Sequence, residues 1–123
     1  MIGPYEFEGN FINCYTENEV ITIGIGTDDV DPTYFIILTK LENEIGIQTS
    51  QSENETDSCI EAIQLENNEL YIIIKKSKFK ELGANLIKIS FSNEQENLNQ
   101  LIEYLHLIFD DSQIALTINL ESY

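Results

Sequence analysis

Side chains able to do chemistry are few in this 123-residue chain, and their spacing assembles no familiar reaction centre. The single histidine is His106, and the two cysteines are Cys14 and Cys59. A structural zinc site takes about four Cys or His ligands at short spacings, which three scattered residues do not supply. No serine, cysteine or carboxylate stands at an evident partner spacing from His106, which favours a structural histidine over a catalytic one. We therefore predict no enzyme, no cofactor and no metal site.

A stretch of glycines and acids, "GIGTDD" at residues 24–29, is the second place to look for chemistry. Gly-x-Gly after a strand occurs in nucleotide-binding loops, but here the third glycine is missing. Asp28, Asp29 and Asp31 follow where a phosphate would need a helix N-terminus. A calcium loop would need a glycine at a fixed distance after the first aspartate, and none is present. The stretch predicts an acidic turn rather than a nucleotide or calcium site.

The charge of the chain is strongly negative, with 22 acidic against 6 basic residues and a net charge of −16. Such a field repels nucleic acid and anionic membranes, because phosphate backbones are bound through Lys and Arg. It attracts a basic partner, although an acidic surface also simply keeps a protein soluble. Five lysines cluster in residues 75–88. That cluster is either a solvated face that pairs loosely with nearby acids or a patch for an acidic surface, such as a second copy.

Targeting signals are not evident at the start of the sequence, "MIGPYEFEGN". It has no basic region, apolar run or small-residue cleavage site, so we predict no signal peptide and no membrane association. No segment approaches the roughly 18 apolar residues of a membrane helix. Two cysteines are typical of a reduced, cytoplasmic protein in which thiols pack as small hydrophobes. The length and a hydrophobic content of 42% predict a single domain over residues 1–123.

Alternating and β-branched residues predict strands through most of the chain. Asn67-Asn68 predicts a tight hairpin turn that places Ile63 opposite Ile72. The polar stretch 48–58 predicts a long loop. The expected strands are residues 10–17, 19–26, 33–40 and 44–50, the two strands of that hairpin, 85–91 and 112–122.

Two helices are expected in the second half. "SKFKELG" predicts a short one that stops at Gly83. Capping-box spacing between Ser92 and Gln95 predicts a long helix over about residues 93–110. The overall prediction is an α+β fold, with a mainly antiparallel sheet, one long C-terminal helix packed on one face and a short helix before it. The apolar stripe of the long helix is Leu98, Leu101, Ile102, Leu105 and Phe109.

Residues 60–109, "IEAIQLENNELYIIIKKSKFKELGANLIKISFSNEQENLNQLIEYLHLIF", resemble the second half of the immunity protein 10 family of bacterial polymorphic toxin systems. The shared features are the hairpin, the short helical turn, the "IKISF" strand and a helix that ends in "LIF". "VITIGIGTDD", "YFIILTK" and "EIGIQ" resemble the first half more loosely. The glycine- and aromatic-containing middle segment of the family is replaced here by "TSQSENETDS". The family supplies no catalytic residues to transfer.

The resemblance implies a non-catalytic cytoplasmic immunity protein that binds and neutralises a cognate toxin domain, and the acidic charge implies that this toxin is basic. The alternative hypothesis is an enzyme or small-ligand binder that uses the open sheet face, with His106 or Cys59. A third hypothesis is a homodimer formed through Leu107 and Tyr104, which lie off the helix stripe.

Two acidic clusters in polar segments are the predicted partner-binding residues, because loops carry binding more often than regular elements do. The face around Tyr71, Tyr104 and Leu107 is the next candidate. The first cluster is Asp28, Asp29 and Asp31, and the second is Glu53, Glu55 and Asp57.

Overall fold

The computed structural model describes residues 2–52, 55–92 and 95–120. These residues form ten strands and two helices, α1 (Phe79–Leu82) and α2 (Leu98–Phe109), with a short 3-10 turn at Lys76–Lys78. The strands are β1 (Tyr5–Glu8), β2 (Phe11–Glu17), β3 (Val20–Gly26), β4 (Phe35–Leu41), β5 (Glu44–Thr49), β6 (Thr56–Asp57), β7 (Ile60–Glu66), β8 (Glu69–Ile74), β9 (Leu86–Ser90) and β10 (Ala115–Asn119).

The first half of the chain builds an antiparallel meander in the order β2-β3-β4-β5-β6, which we call sheet 2. Its four longer strands lie where the alternating pattern predicts them. Ile23 pairs with Leu38, and Ile25 pairs with Ile36. All four of these side chains are buried, so one face of sheet 2 is directed into the core.

The second half builds sheet 1, in the order β1-β9-β8-β7-β10. The predicted hairpin forms with the predicted register, so that Ile63 pairs with Ile72. Both strands at the edges of sheet 1 run parallel to their neighbours, β1 to β9 and β10 to β7. A hairpin pattern does not reveal such pairs, and β1, with only four residues, was not predicted.

One apolar core takes the inner faces of both sheets together with α2. The helix contacts β2 and β3 of sheet 2 and β10 of sheet 1, so it connects the two sheets. The fold is therefore α+β, as predicted, but the single sheet of the prediction is two sheets of five strands each. Among the described residues, no helix is long and apolar enough to cross a membrane.

The prediction of a long C-terminal helix over about residues 93–110 is wrong, because α2 has only 12 residues, Leu98–Phe109. The strand predicted after it, 112–122, is present as the shorter β10. Asn97 precedes α2 without a side-chain cap. The backbone N–H of Gln95 donates to the Ser92 carbonyl, and Gln95 lies outside the helix. Residues 93–94 of the predicted helix lie outside the described part of the chain. The stripe also includes Ile108, which is fully buried, because α2 packs between two sheets rather than on one.

The polar stretch 48–58 is less of a loop than its composition predicts. β5 continues to Thr49, and β6 adds a two-residue strand that pairs with Gly46 and Ile47. The short helix is present, and it ends at Gly83, whose φ of 86° is the left-handed conformation that favours glycine.

Candidate functional site

The outer face of sheet 2 carries an open groove, which we call the glycine groove, with a volume of about 320 Å³. Because the isoleucines of β3 point into the core, Thr22, Gly24 and Gly26 face outward. The two glycines have no side chain, so the sheet backbone itself forms the floor of the groove. The lining comprises Phe11, Asn13, Tyr15, Thr22, Gly24, Ile25, Gly26, Asp28, Asp29, Pro32, Phe35, Ile36 and Ile37.

The walls of the glycine groove come from the strands on either side of β3. Gly26 lies between Phe11 of β2 and Phe35 of β4, and Gly24 is the next outward residue along β3. A Cβ atom placed on Gly24 would meet only a backbone oxygen, 3.6 Å away, so the floor is open there. At Gly26 it would meet Pro32 at 3.1 Å, so the floor is covered at that end.

The covered end of the glycine groove is acidic. Asp28 Oδ1 accepts hydrogen bonds from the amides of Val30 at 3.0 Å and Asp31 at 2.9 Å, which orders the turn after β3. All three aspartates of this turn are exposed, and Asp28 and Asp29 line the groove. The first predicted cluster is thus an ordered turn in which two of the three aspartates border an apolar surface.

The second predicted cluster also reaches the outer face of sheet 2, but not as a free loop. Glu55 lies over Gly46 and accepts a hydrogen bond from the Thr39 hydroxyl. Asp57 pairs with Gly46 as part of β6, so its assignment to an irregular segment is wrong. Glu53 lies outside the described residues. Asp28 and Asp29 therefore line the groove, and Asp31 lies on the same turn. Glu55 and Asp57 lie near the β6 edge of the same sheet.

Exposed aromatic rings are the feature of this face that the sequence-based prediction missed. Phe11 and Tyr15 expose 36% and 43% of their surface beside the glycine floor. Apolar groups left in contact with solvent and bordered by charges are typical of binding surfaces. The available signal was the alternation itself, since aromatic residues at 11 and 15 and glycines at 24 and 26 occupy outward positions of paired strands.

The other face considered from sequence, around Tyr71, Tyr104 and Leu107, does not form one surface. Tyr71 is on the outer side of sheet 1, where the Lys88 ammonium lies 5.9 Å from its ring centre. Tyr104 and Leu107 are on α2, which packs on the core side of the sheets. Tyr104 is half-buried against the core, so only Leu107, 47% exposed, fits the expected interface on this helix.

The lysine cluster is partly paired. Lys78 contacts Glu81 at 3.2 Å, and Lys88 contacts Glu69 at 3.1 Å across sheet 1. The hydrogen bond to Glu69 raises the pKa of Lys88, so this lysine stays charged over a wider pH range. Both pairs lie at the surface, where such contacts contribute little to stability.

The histidine and the two cysteines do not line the glycine groove. His106 is exposed on α2, and its Nδ1 lies 2.9 Å from Asp110 Oδ1. Cys14 and Cys59 are buried. Burial, assisted by the nearby Glu103 carboxylate, raises the pKa of the Cys14 thiol to about 12, and burial raises that of Cys59 to about 11. Both thiols are protonated at neutral pH, which makes them poor nucleophiles.

The thiols should therefore react with iodoacetamide in the native protein only as fast as the chain unfolds. Their ordinary pKa is 9.0, so the unfolded chain loses the two protons before the folded chain does. The contribution of the two thiols to folding stability is thus fully present below pH 9.0 and should be lost as the pH rises toward 11 and 12. Mass spectrometry of alkylated protein at pH 8, with and without denaturant, checks the protection of the thiols, and rapid native modification of either cysteine would contradict it. Urea unfolding between pH 8 and pH 11 checks the pH dependence.

In comparisons with known proteins, neither a family model nor a curated protein matches this chain. Within residues 2–52, 55–92 and 95–120, no group of three or more His, Cys, Asp or Glu side chains is placed to hold a metal ion. The glycine groove is an apolar, aromatic trough with a backbone floor and two aspartates, Asp28 and Asp29, at one end. Such a trough suits a long side chain that carries a positive charge at its tip.

Proposed function

We propose that this chain is a non-catalytic, cytoplasmic immunity protein that binds a basic toxin domain through the glycine groove and thereby neutralises it. The observation that carries the proposal is the junction of exposed aromatic rings with Asp28 and Asp29 in one trough. Aromatic anchors surrounded by a polar rim are the usual anatomy of a protein interface.

A basic side chain of the partner fits both parts of this trough. Its alkyl part would lie on the backbone floor at Gly24, where there is room beside the strand. Its charged tip would reach the carboxylates of Asp28 and Asp29, since an arginine pairs with carboxylates in a planar, bidentate way. Tyr15 and Phe11 would add cation–π contact from the wall of β2.

The charge of the whole protein supports the same partner. A net charge of −16 produces a long-range field that accelerates encounter with a basic protein. The resemblance of residues 60–109 to immunity protein 10 sequences supports the biological role. That part of the chain contributes β7, β8, α1, β9 and α2, whereas the proposed contact, the glycine groove, is built by β2, β3 and β4 of the first half.

The double variant Asp28→Asn and Asp29→Asn should slow association with the basic toxin domain proposed as the partner. The asparagine oxygen at position 28 can still accept the two amide hydrogen bonds that order the turn, so the fold should be retained. We expect the association rate at low salt to fall by about fivefold and its dependence on salt to become weaker. Stopped-flow measurements from about 20 to 500 mM salt check this.

The matched control is the double variant Glu6→Gln and Glu8→Gln, which removes the same charge from exposed positions on β1 of sheet 1. If both double variants slow association equally, the toxin responds only to net charge and the groove is not the contact. Lack of protection of cells that express that toxin domain would overturn the immunity role itself.

Binding of a small molecule in the glycine groove is the second candidate. It is favoured by one observation, the volume of about 320 Å³ with apolar walls and Asn13 and Asp28 as polar groups. Ligand pockets begin near this size, roughly 300 Å³, but they enclose most of their ligand, whereas this groove is open along the sheet. A library screen by thermal shift would support this candidate if hits lose their effect in a variant that fills the groove.

A further inference from the structure

The edges of the two sheets are protected unequally against pairing with another strand. An unpaired strand edge presents N–H and C=O groups to any passing strand, so proteins usually shield it. On β1, Glu6 and Glu8 are exposed and charged. Beside β2, the Gln95 side chain donates to the carbonyls of Gly9 and Asn10, each at 3.3 Å, and that of Asn97 donates to Ile12 at 3.4 Å.

The remaining edge of sheet 2 is the two-residue strand β6, which is too short to act as a template. The edge of sheet 1 formed by β10 has no such protection from the residues that the structure describes. Its five residues, "ALTIN", include no charge and no proline, although the chain has 22 acidic residues. Within the described residues, no strand lies along its outer side.

The backbone direction of β10 can be read from one contact. The Asn119 carbonyl accepts a hydrogen bond of 2.8 Å from the Asn67 amide in the β7–β8 turn, so it points toward β7. Successive residues of a strand direct their N–H and C=O groups to opposite sides. The backbone groups of Thr117 therefore also face β7, whereas those of Leu116 and Ile118 face outward, away from sheet 1.

We propose that β10 pairs antiparallel with β10 of a second copy, around a two-fold axis at Thr117. In this register Leu116 lies opposite Ile118 of the second copy, and the reverse pair is equivalent by symmetry. These are the residues whose backbone groups face outward, so the two pairs exchange about four hydrogen bonds. The two copies of sheet 1 then join into one continuous sheet.

The side chains of residues 114–120 favour a second copy over an unrelated strand, because apolar and polar residues alternate symmetrically about Thr117. Each side chain therefore meets one of similar polarity when the strand pairs with itself. Ile114 lies opposite Leu120, which is 50% exposed in one copy and would gain an apolar neighbour. Exposed Thr117 lies opposite its own equivalent, and Thr–Thr pairs across strands are favourable. Small and polar residues at 115 and 119 face each other on the outer side.

Charge makes this interface behave differently from the proposed toxin contact. Each copy carries −16, so the approach of two copies is opposed by long-range repulsion that salt screens. Dimerisation should strengthen with salt, whereas binding of a basic toxin should weaken. The dimer does not depend on the proposed function, and either can fail without the other.

A single cysteine at the symmetry axis tests the pairing directly. In Thr117→Cys, the two thiols would face each other as a non-hydrogen-bonded pair, with Cα atoms about 4.5 Å apart. That separation permits a disulfide. We expect mild oxidation at high salt to give a disulfide-linked dimer of the folded protein, since the native cysteines are buried. Thr16→Cys, at an exposed position of β2, is the matched control and should form no disulfide-linked dimer, because the proposed pairing leaves the two introduced thiols far apart.

Sedimentation of the unmodified chain provides the second measurement. We expect the dimer dissociation constant to fall by about threefold or more between about 50 and 500 mM salt. Thr117→Lys should remain monomeric at both salts, whereas Thr16→Lys should dimerise like the unmodified chain. A monomer at high micromolar concentration in both salts, or a dimer that persists in Thr117→Lys, would overturn the proposal. Thr117→Cys keeps the test decisive if Thr117→Lys does not fold.

Discussion

Replacing Gly24 with isoleucine is expected to lower the affinity for the toxin by about 100-fold without weakening the fold, if the glycine groove is the contact. A side chain at this position would rise from the floor of the groove, where its first atom meets only the Asn13 carbonyl oxygen at 3.6 Å. It would occupy the space proposed for the basic side chain of the toxin. The strand should tolerate or favour the change, because β-branched residues suit strands better than glycine does.

Isothermal titration with the toxin and urea unfolding, measured on the same sample, separate the two effects. The control is Gly3→Ile, an identical substitution at a position where no atom lies within 4 Å of the added Cβ. We expect the control to bind like the unmodified chain and both variants to unfold at similar urea concentrations. Toxin binding that survives a filled groove would show that the contact lies elsewhere on the protein.

Replacing Gly9 with alanine should destabilise the fold by about 1–3 kcal/mol, because overpacking a tight core forces neighbouring side chains to move. Gly9 is buried where the chain passes from β1 of sheet 1 to β2 of sheet 2. An added Cβ would lie 2.7 Å from Ile89 Cγ2, 2.7 Å from Phe91 Cε1 and 2.9 Å from Ile25 Cγ2. These contacts come from both sheets, so the clash would separate the two layers.

Urea unfolding of Gly9→Ala measures this effect, with Gly3→Ala as the control because its surroundings are open. We expect the control to change the free energy of unfolding by less than about 0.5 kcal/mol, as is usual for surface positions. Equal urea midpoints for Gly9→Ala and Gly3→Ala would mean that the surroundings of Gly9 are loosely packed, contrary to the distances of 2.7–2.9 Å.

Local patterns in the sequence determined the parts of the fold in which neighbouring segments pair. Asn67, with a φ of 53°, makes the hairpin turn, and the alternation on either side then leaves only one register that buries Ile63 and Ile72 together. The meander of sheet 2 follows from the same rule, because each strand pairs with the next one along the chain. The acidic turn at Asp28 was also evident, since its carboxylate bonds only to amides two and three residues away.

Tertiary structure alone decided the features that depend on contacts between distant segments. The parallel pairing of β1 with β9 and of β10 with β7 splits the predicted sheet into two, and no local pattern specifies such long connections. It also decided which groups share a surface. The aromatic rings of β2, the glycines of β3 and the turn at Asp28 border one groove only because three strands place them side by side. The sequence does not predict that an outward-facing glycine forms the floor of a groove, because the groove exists only where larger side chains of the neighbouring strands flank that glycine.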